Sequence, residues 1–229
     1  MAGRGFYYDR MCLCSKIKKM KKIATIFCML LCALSVMAAP LTAQQKQEVI
    51  GRINKTASGL KSMSCSFTQT KYLSLLSDEM ISEGKMNYKQ PNKLRWEYTT
   101  PYQYLFIFNG TKVYVGNESR KDVIDTNTNK VFKEVARIMM STVTGTALSN
   151  SSDFSIDVAD GNTQWQITLV PKKKEMKKMF SKIVLLFNKS NLMIAEINIY
   201  ENNNDRTNIK LKNIKTNGVV NETLFAIPK

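Results

Sequence analysis

The chain has 229 residues, with 34 Lys and Arg against 18 Asp and Glu, no histidine, and a net charge of +16. The lack of histidine removes the commonest general base and metal ligand, so imidazole-driven catalysis is excluded at the outset. Four of the five cysteines (Cys12, Cys14, Cys28, Cys32) precede residue 40 and only Cys65 follows, which leaves no intramolecular disulfide framework.

Lys16, Lys18, Lys19, Lys21 and Lys22 precede an apolar run from Ile23 to Val36, which passes into Met37-Ala38-Ala39. A basic start, a short apolar core and small residues at its end read as a secretory signal peptide over residues 1–39. The run is about 14 residues long, short of the roughly 20 that a transmembrane helix needs. Met20-Lys21-Lys22 can open such a signal by itself, so residues 1–19 read as an upstream extension. Cys28 and Cys32 follow Phe27 and Leu31 rather than small residues, and no lipid-anchored terminus is expected. Cleavage after Ala38 or Ala39 leaves residues 40–229 as a single domain with 27 basic and 17 acidic residues, a net +10. In an exported protein that excess points to anionic headgroups or acidic partner surfaces, not to nucleic acid.

Thr42 to Leu60 reads as an amphipathic helix, with Thr42 and Gln45 at capping-box spacing and Val49, Ile50, Ile53, Ala57 and Leu60 in one stripe. A strand is predicted over Ser64 to Leu76, a turn at Ser77-Asp78, and extended chain from Met80 to Lys89. Between Gly84 and Gly110 the pattern has period two. Met86, Tyr88, Leu94, Trp96 and Tyr98 share one face, and Lys85, Asn87, Lys89, Lys93, Arg95 and Glu97 the other. Pro91-Asn92, Thr100-Pro101 and Asn109-Gly110 punctuate this meander. Short strands follow at Lys112–Val115 and Lys121–Thr126. A second helix, capped by Asn127 or Asn129, covers Lys130 to Thr142 with Val131, Phe132, Val135, Ile138 and Met139 in its stripe. After a loop around Gly145 and Ser149 to Ser152, five strands are predicted at 154–158, 164–170, 183–188, 193–200 and 207–214. Leu224, Phe225 and Ile227 are expected to pin the end of the chain to the sheet edge. A large antiparallel sheet with two or three helices to cover its apolar face is an α+β fold.

Chemistry has few footholds. Cys65 lacks an imidazole to make it a thiolate, Asp78, Glu79 and Glu83 read as solvated residues beside a turn, and no phosphate loop, dinucleotide fingerprint or nucleophile elbow is present. No enzyme, cofactor or metal site is expected. Lys172, Lys173, Lys174, Lys177 and Lys178 form the sharpest surface feature, with Met176, Met179 and Phe180 at helical spacing among them. That run reads either as a hairpin tip touching anionic lipid or an acidic partner, or as a solvated loop. The aromatic face of the meander likewise allows two readings, an ordinary packed core or a working surface.

An ordered set of motifs bears on that choice. Ser66-Phe67-Thr68-Gln69, Glu83-Gly84, Pro91-Asn92, Leu94-Arg95-Trp96-Glu97-Tyr98, Pro101 and Asn109 to Tyr114 resemble the LolA family of periplasmic outer-membrane lipoprotein carriers. Asn221 to Pro228 is similar, more weakly, to the family's closing segment. The resemblance implies an incomplete, unclosed antiparallel β-barrel, with helices forming a lid over a hydrophobic cavity that takes acyl chains. It implies a monomeric periplasmic chaperone that receives acylated lipoproteins from an inner-membrane exporter and passes them to an outer-membrane acceptor, touching membrane surfaces transiently. On this view Phe67, Met86, Tyr88, Leu94, Trp96, Tyr98 and Phe106 line the cavity from the sheet, and Val135, Ile138 and Met139 from the lid. Gln90 stands where the family usually carries an arginine that latches the lid; a neutral amide there makes the weaker hydrogen bond. Two alternatives remain: carriage of another lipid or lipid-linked intermediate, and a non-transport β-rich protein that binds membranes or partners.

Overall fold

The computed structural model describes residues 40–75, 78–117, 119–149 and 152–228. The signal-peptide reading, its upstream extension and Ser77 of the expected turn fall outside these residues. Leu41 to Lys229 make one unit. Its first helix, α1 (Ala43–Ser58), opens on the capping box read from the sequence: Gln45 N–H donates to Thr42 Oγ1 at 3.2 Å, and Thr42 N–H to Gln45 Oε1 at 2.8 Å. Val49, Ile53 and Ala57 are its buried stripe.

The strands are β1 (Ser62–Tyr72), β2 (Glu79–Lys89), β3 (Lys93–Thr100), β4 (Tyr104–Phe108), β5 (Lys112–Gly116) and β6 (Lys121–Asp125). Helix α2 (Lys130–Thr144) and a 3₁₀ turn at Thr146–Ser149 lead to β7 (Phe154–Asp160) and β8 (Gln164–Pro171). A short helix, α3 (Lys174–Met179), precedes β9 (Lys182–Asn188), β10 (Ile194–Tyr200) and β11 (Arg206–Thr216). All eleven strands join one sheet in the order β6-β5-β4-β3-β2-β1-β11-β10-β9-β8-β7, every neighbouring pair antiparallel. The sheet is not closed, because β6 and β7 end it without pairing to each other. Those two edges are consecutive strands of the chain, and α2 is the link between them.

Bulges supply bends in this sheet. The β1–β11 register shifts between Ser64 and Ser66, opposite Asn213, which takes φ 55°. A second shift lies between Glu83 and Gly84 on β2, where β3 carries the extra residue. There the ring of Phe67 lies over Gly84, its partner in register on β1. A Cβ on Gly84 would stand 2.0 Å from the Glu97 carbonyl oxygen and 2.5 Å from Phe67 Cζ, so only glycine fits.

Met63, Cys65, Phe67, Met86, Tyr88, Leu94, Trp96, Phe106 and Phe108 face inward, joining Ile53 of α1 and Ala136 and Ile138 of α2 in one core. The end of the chain does not sit on a sheet edge as its sequence suggested. Leu224, Phe225 and Ile227 instead pack with Val220 against Leu105, Ile107 and Tyr114, on the outer face of β4 and β5. Arg95 Nη1 holds the Leu224 carbonyl at 3.2 Å, and Glu222 bridges Lys89 at 2.6 Å and Lys93 at 2.5 Å. Ile107 and Tyr114 have the opposite strand parity to the core residues, so that outer face needed an apolar cover of its own.

Candidate functional site: an apolar cavity beneath the crossover helix

Helix α2 forms because Asn129 caps it, its Oδ1 accepting from Phe132 N–H at 3.2 Å, and because its apolar residues repeat at three and four. It ends at Gly145, whose φ of 85° is the left-handed cap that glycine adopts freely. A side chain at Gly145 would meet Phe187 at 3.2 Å and Ile53 at 3.4 Å, so the end of α2 is seated tightly between α1 and β9.

Between α2 and the inner face of the sheet lies a cavity of about 320 Å³. Trp96 and Tyr98 of β3, Ile197 and Ile199 of β10 and Ile209 of β11 line it from the sheet. Val135, Ile138, Met139, Thr142 and Val143 line it from α2, and Met179, the last residue of α3, and Phe180 just after it complete the lining. The volume is at the low end of the roughly 300–1,000 Å³ of small-molecule sites. At roughly 30 Å³ for a water-sized unit, it holds on the order of ten methylenes: one chain. Gln69, Tyr98, Met179, Glu201 and Thr207 also contact the space, and all five are partly or fully exposed. The cavity therefore opens at the end of the sheet where β1 leaves and β11 enters.

The residues singled out from the sequence divide into two sets. Trp96, Tyr98, Val135, Ile138 and Met139 contact the cavity. Phe67, Met86, Tyr88, Leu94 and Phe106 lie on the same inner face but are packed in the core, with Met86 and Leu94 at 0% exposure. Phe67 supports the cavity indirectly, its ring 4.4 Å from Trp96 and 5.2 Å, edge-on, from Tyr98. The sequence reading missed the far side, Ile197, Ile199, Thr207 and Ile209. Their period-two alternation was visible, but nothing in it showed that β10 and β11 come to lie beside β1.

Gln90 is exposed in the β2–β3 turn, and its backbone N–H donates to the Lys61 carbonyl at 2.8 Å, just beyond α1. A stronger fastening of α2 lies elsewhere. Asp153, at 0% exposure before β7, takes Arg137 Nη2 of α2 at 2.6 Å and Lys173 Nζ at 2.6 Å. Arg137 also bonds Glu134 one turn back at 2.5 Å. Burial pushes the Asp153 carboxyl up, but the hydrogen bond from Lys173 and the charges of Arg137 and Lys173 outweigh it and hold the group below its ordinary range. A depressed pKa of this kind adds stability at neutral pH that is withdrawn as pH falls through the folded-state value.

The basic run lies at the tip of the β8–β9 hairpin, and there it is not an open loop but the short helix α3 with its flanks. Met176 and Phe180 are buried at 1% and 5%, and this anchoring turns the segment helical. Lys172, Lys173, Lys174, Lys177 and Lys178 are all exposed, though Lys173 is tied to Asp153 and Lys178 to Glu175 at 3.1 Å. Cys65 is buried in the core, where desolvation pushes its thiol up to about 12 and leaves no thiolate for nucleophilic work.

With this geometry in view, comparison with known proteins is informative. The family model described as outer membrane lipoprotein carrier protein LolA matches residues 58–228. An outer-membrane lipoprotein carrier protein of Chromohalobacter salexigens is 23% identical over 191 residues, covering 83% of this chain and 88% of the relative. Its counterpart in Legionella pneumophila is 27% identical over 144 residues, covering 63% and 68%. Among solved structures, an uncharacterized conserved protein from Thermus thermophilus shares the fold with a TM-score of 0.51 at 9% identity, over 80% of this chain and 94% of that one.

Proposed function

Because this chain belongs to the LolA family of outer membrane lipoprotein carrier proteins, we propose that it is a periplasmic carrier that shields the acyl chains of lipoproteins between the inner and outer membranes. The observation that carries this reading is the open, apolar cavity between the unclosed sheet and α2. Each buried methylene contributes about 0.8 kcal/mol, so a chain filling this space is held by several kcal/mol without any covalent chemistry. Cargo with more than one acyl chain needs more room than the cavity offers, and α2 must lift to provide it. In this scheme the Arg137–Asp153 pair, more than Gln90, fastens the lid, and opening it offsets part of the binding energy so that cargo can leave. An inner-membrane exporter supplies the cargo and an outer-membrane acceptor takes it, down a gradient of affinity.

Mass spectrometry of material copurified with the protein from its native periplasm tests the reading. Acylated polypeptide is the expected result. Free lipid would shift the cargo to another lipid class, and an empty extract would overturn carriage altogether.

The exposed face of α3 is the proposed contact with membrane surfaces. Lysines near an anionic surface contribute about 1 kcal/mol each. Lys174→Glu combined with Lys177→Glu is thus expected to lower flotation with phosphatidylglycerol vesicles by tenfold or more while leaving acyl uptake in solution unchanged. Equal flotation of the variant and the parent would remove α3 from the account.

A further inference from the structure

Among the described residues nine large apolar side chains are exposed, and seven of them stand at the end of the sheet onto which the cavity opens. Leu75, Met80 and Ile81 belong to the β1–β2 hairpin, Tyr102 and Tyr104 to β3–β4, and Val170 and Met179 to β8–β9. Strand register puts these turns on one rim. Tyr72 pairs with Glu79 and with Arg206, Tyr200 with Arg206 and with Lys182, and Thr100 with Glu83. The other two, Val123 and Val219, lie in the middle of β6 and beyond the far end of β11. A single exposed leucine or methionine is ordinary. Their concentration around one opening marks an interaction surface.

Leu75 is 95% exposed, yet the turn that carries it is tied down. Ser74 N–H donates to Asp205 Oδ1 at 2.8 Å, and the Ser74 hydroxyl to the Asn203 carbonyl at 2.8 Å. On the same β10–β11 turn, Asn202 Nδ2 donates to the Lys177 carbonyl of α3 at 2.7 Å. The β1–β2 tip, the β10–β11 turn and α3 are thus one hydrogen-bonded crest. Ser74 spends its polar groups on the neighbouring turn, and the next side chain, a leucine, is left in water. Met179 joins the crest to the cavity, half-exposed on one side and lining the space on the other.

We propose that this crest inserts Leu75 into the acyl layer of an anionic bilayer, with the α3 lysines on the headgroups and the cavity mouth applied to the membrane. The inference rests on the carrier reading above and deepens it, by giving the membrane-bound molecule an orientation. Residues 71–82, 171–182 and 200–206 hold eight basic side chains and five acidic ones. Asp78 and Glu79, exposed beside Leu75, are among the five, and the lysines of α3 and its flanks outweigh them. Arg206 lies over the Tyr72 ring at 4.0 Å and Lys182 over Tyr200 at 4.6 Å. Such pairs join an apolar body to a charged head, which suits the boundary between headgroups and acyl chains. Apolar burial and attraction to anionic lipid add together at that boundary. The apolar points are carried on separate turns with Ser, Asn and Lys between them. A fluid acyl layer accepts separate points, whereas a folded partner would need a matching hollow for each. An acyl chain can then pass between the cavity and the bilayer without crossing open water.

The test places an environment-sensitive fluorophore at Leu75→Cys in residues 40–229, where Cys65 is buried and does not compete for the label. The labelled protein is mixed with vesicles of phosphatidylethanolamine and phosphatidylglycerol, with and without a doxyl quencher on the lipid acyl chains. The expected result is a blue shift on binding and strong quenching by the doxyl lipid, while the same label at Val219→Cys, beyond the opposite end of the sheet, stays unquenched. Leu75→Ser is expected to lower flotation with these vesicles by about tenfold or more, the scale set by burying one leucine, and to leave uptake of a fluorescent fatty acid in solution within about twofold of the parent. A label at position 75 that stays in water on protein that floats overturns the insertion. A label that shifts only with vesicles containing native membrane proteins overturns it as well, in favour of a protein partner. The uptake assay reads carriage separately: normal uptake beside an unquenched label sinks the crest and spares the carrier, and a parent protein that takes up no acyl chain removes the reading on which the crest rests.

Discussion

Met139→Glu is expected to leave the protein folded and to abolish acyl uptake. Met139 is half-buried on α2 and contacts the cavity, and glutamate is as good a helix former as methionine, so the helix tolerates the exchange. A carboxylate facing that space must either stay hydrated, which keeps water where the chain would lie, or lose its charge on filling. Desolvating such a group costs several kcal/mol, so affinity should fall by at least about a hundredfold, some 2.7 kcal/mol at 1.36 kcal/mol per tenfold. Ile199→Trp approaches the same outcome by bulk, since Ile199 reaches the cavity from β10 and an indole there occupies much of its 320 Å³. Titration with a fluorescent fatty acid, alongside circular dichroism to check the fold, reads both. A folded Met139→Glu protein that binds within threefold of the parent would mean that chains do not enter beneath α2. Leu94, at 0% exposure, is a poorer place for the experiment, because a glutamate there would test folding first.

Gly84→Ala is expected to be the most damaging small substitution in the sheet. The new methyl would lie 2.0 Å from the Glu97 carbonyl oxygen and within 2.7 Å of two atoms of the Phe67 ring. The first neighbour is backbone and cannot rotate away, so β2 and β3 must separate at their bulge or Phe67 must leave its seat. Overpacking of this kind costs about 1–3 kcal/mol and occasionally more. A backbone clash places it at the upper end, about 3 kcal/mol. For a domain of this size each kcal/mol lowers Tm by roughly 2–4 °C, which makes a drop of roughly 6–12 °C the expected reading in a thermal melt. A Tm within 2 °C of the parent would show that the ring does not rest on Gly84.

Much of this architecture was legible beforehand. The capping box at Thr42, the one-sided meander from Met86 to Tyr98 and the alternating strands after Phe154 each announce an element through local spacing, and local spacing is what a sequence displays directly. Pairing between distant strands is not displayed. Nothing local says that β1 has β2 on one side and β11 on the other, so the β10 and β11 half of the cavity wall was missing from the residues first singled out. The core residues Met86 and Leu94 alternate in the same way as the cavity residues Trp96 and Tyr98, because one sheet face serves both purposes; only the placement of α2 separates them. The lysine run was legible as the tip of a hairpin, and the helical spacing of Met176 and Phe180 within it, visible beforehand, is what decides its conformation.

A barrel left ajar has two raw borders, and each is an invitation to polymerise by adding strands from neighbouring molecules. Here both borders are short and studded with charge: Lys121, Asp122 and Asp125 along β6, Asp157 and Asp160 along β7, all exposed. Adding a strand at either edge would have to strip water from these charges and disturb the Lys46–Asp157 and Lys189–Asp160 pairs beside β7. The open seam of the sheet is thus kept from growing into a fibre, and copies of the molecule can crowd together without gluing to their own kind.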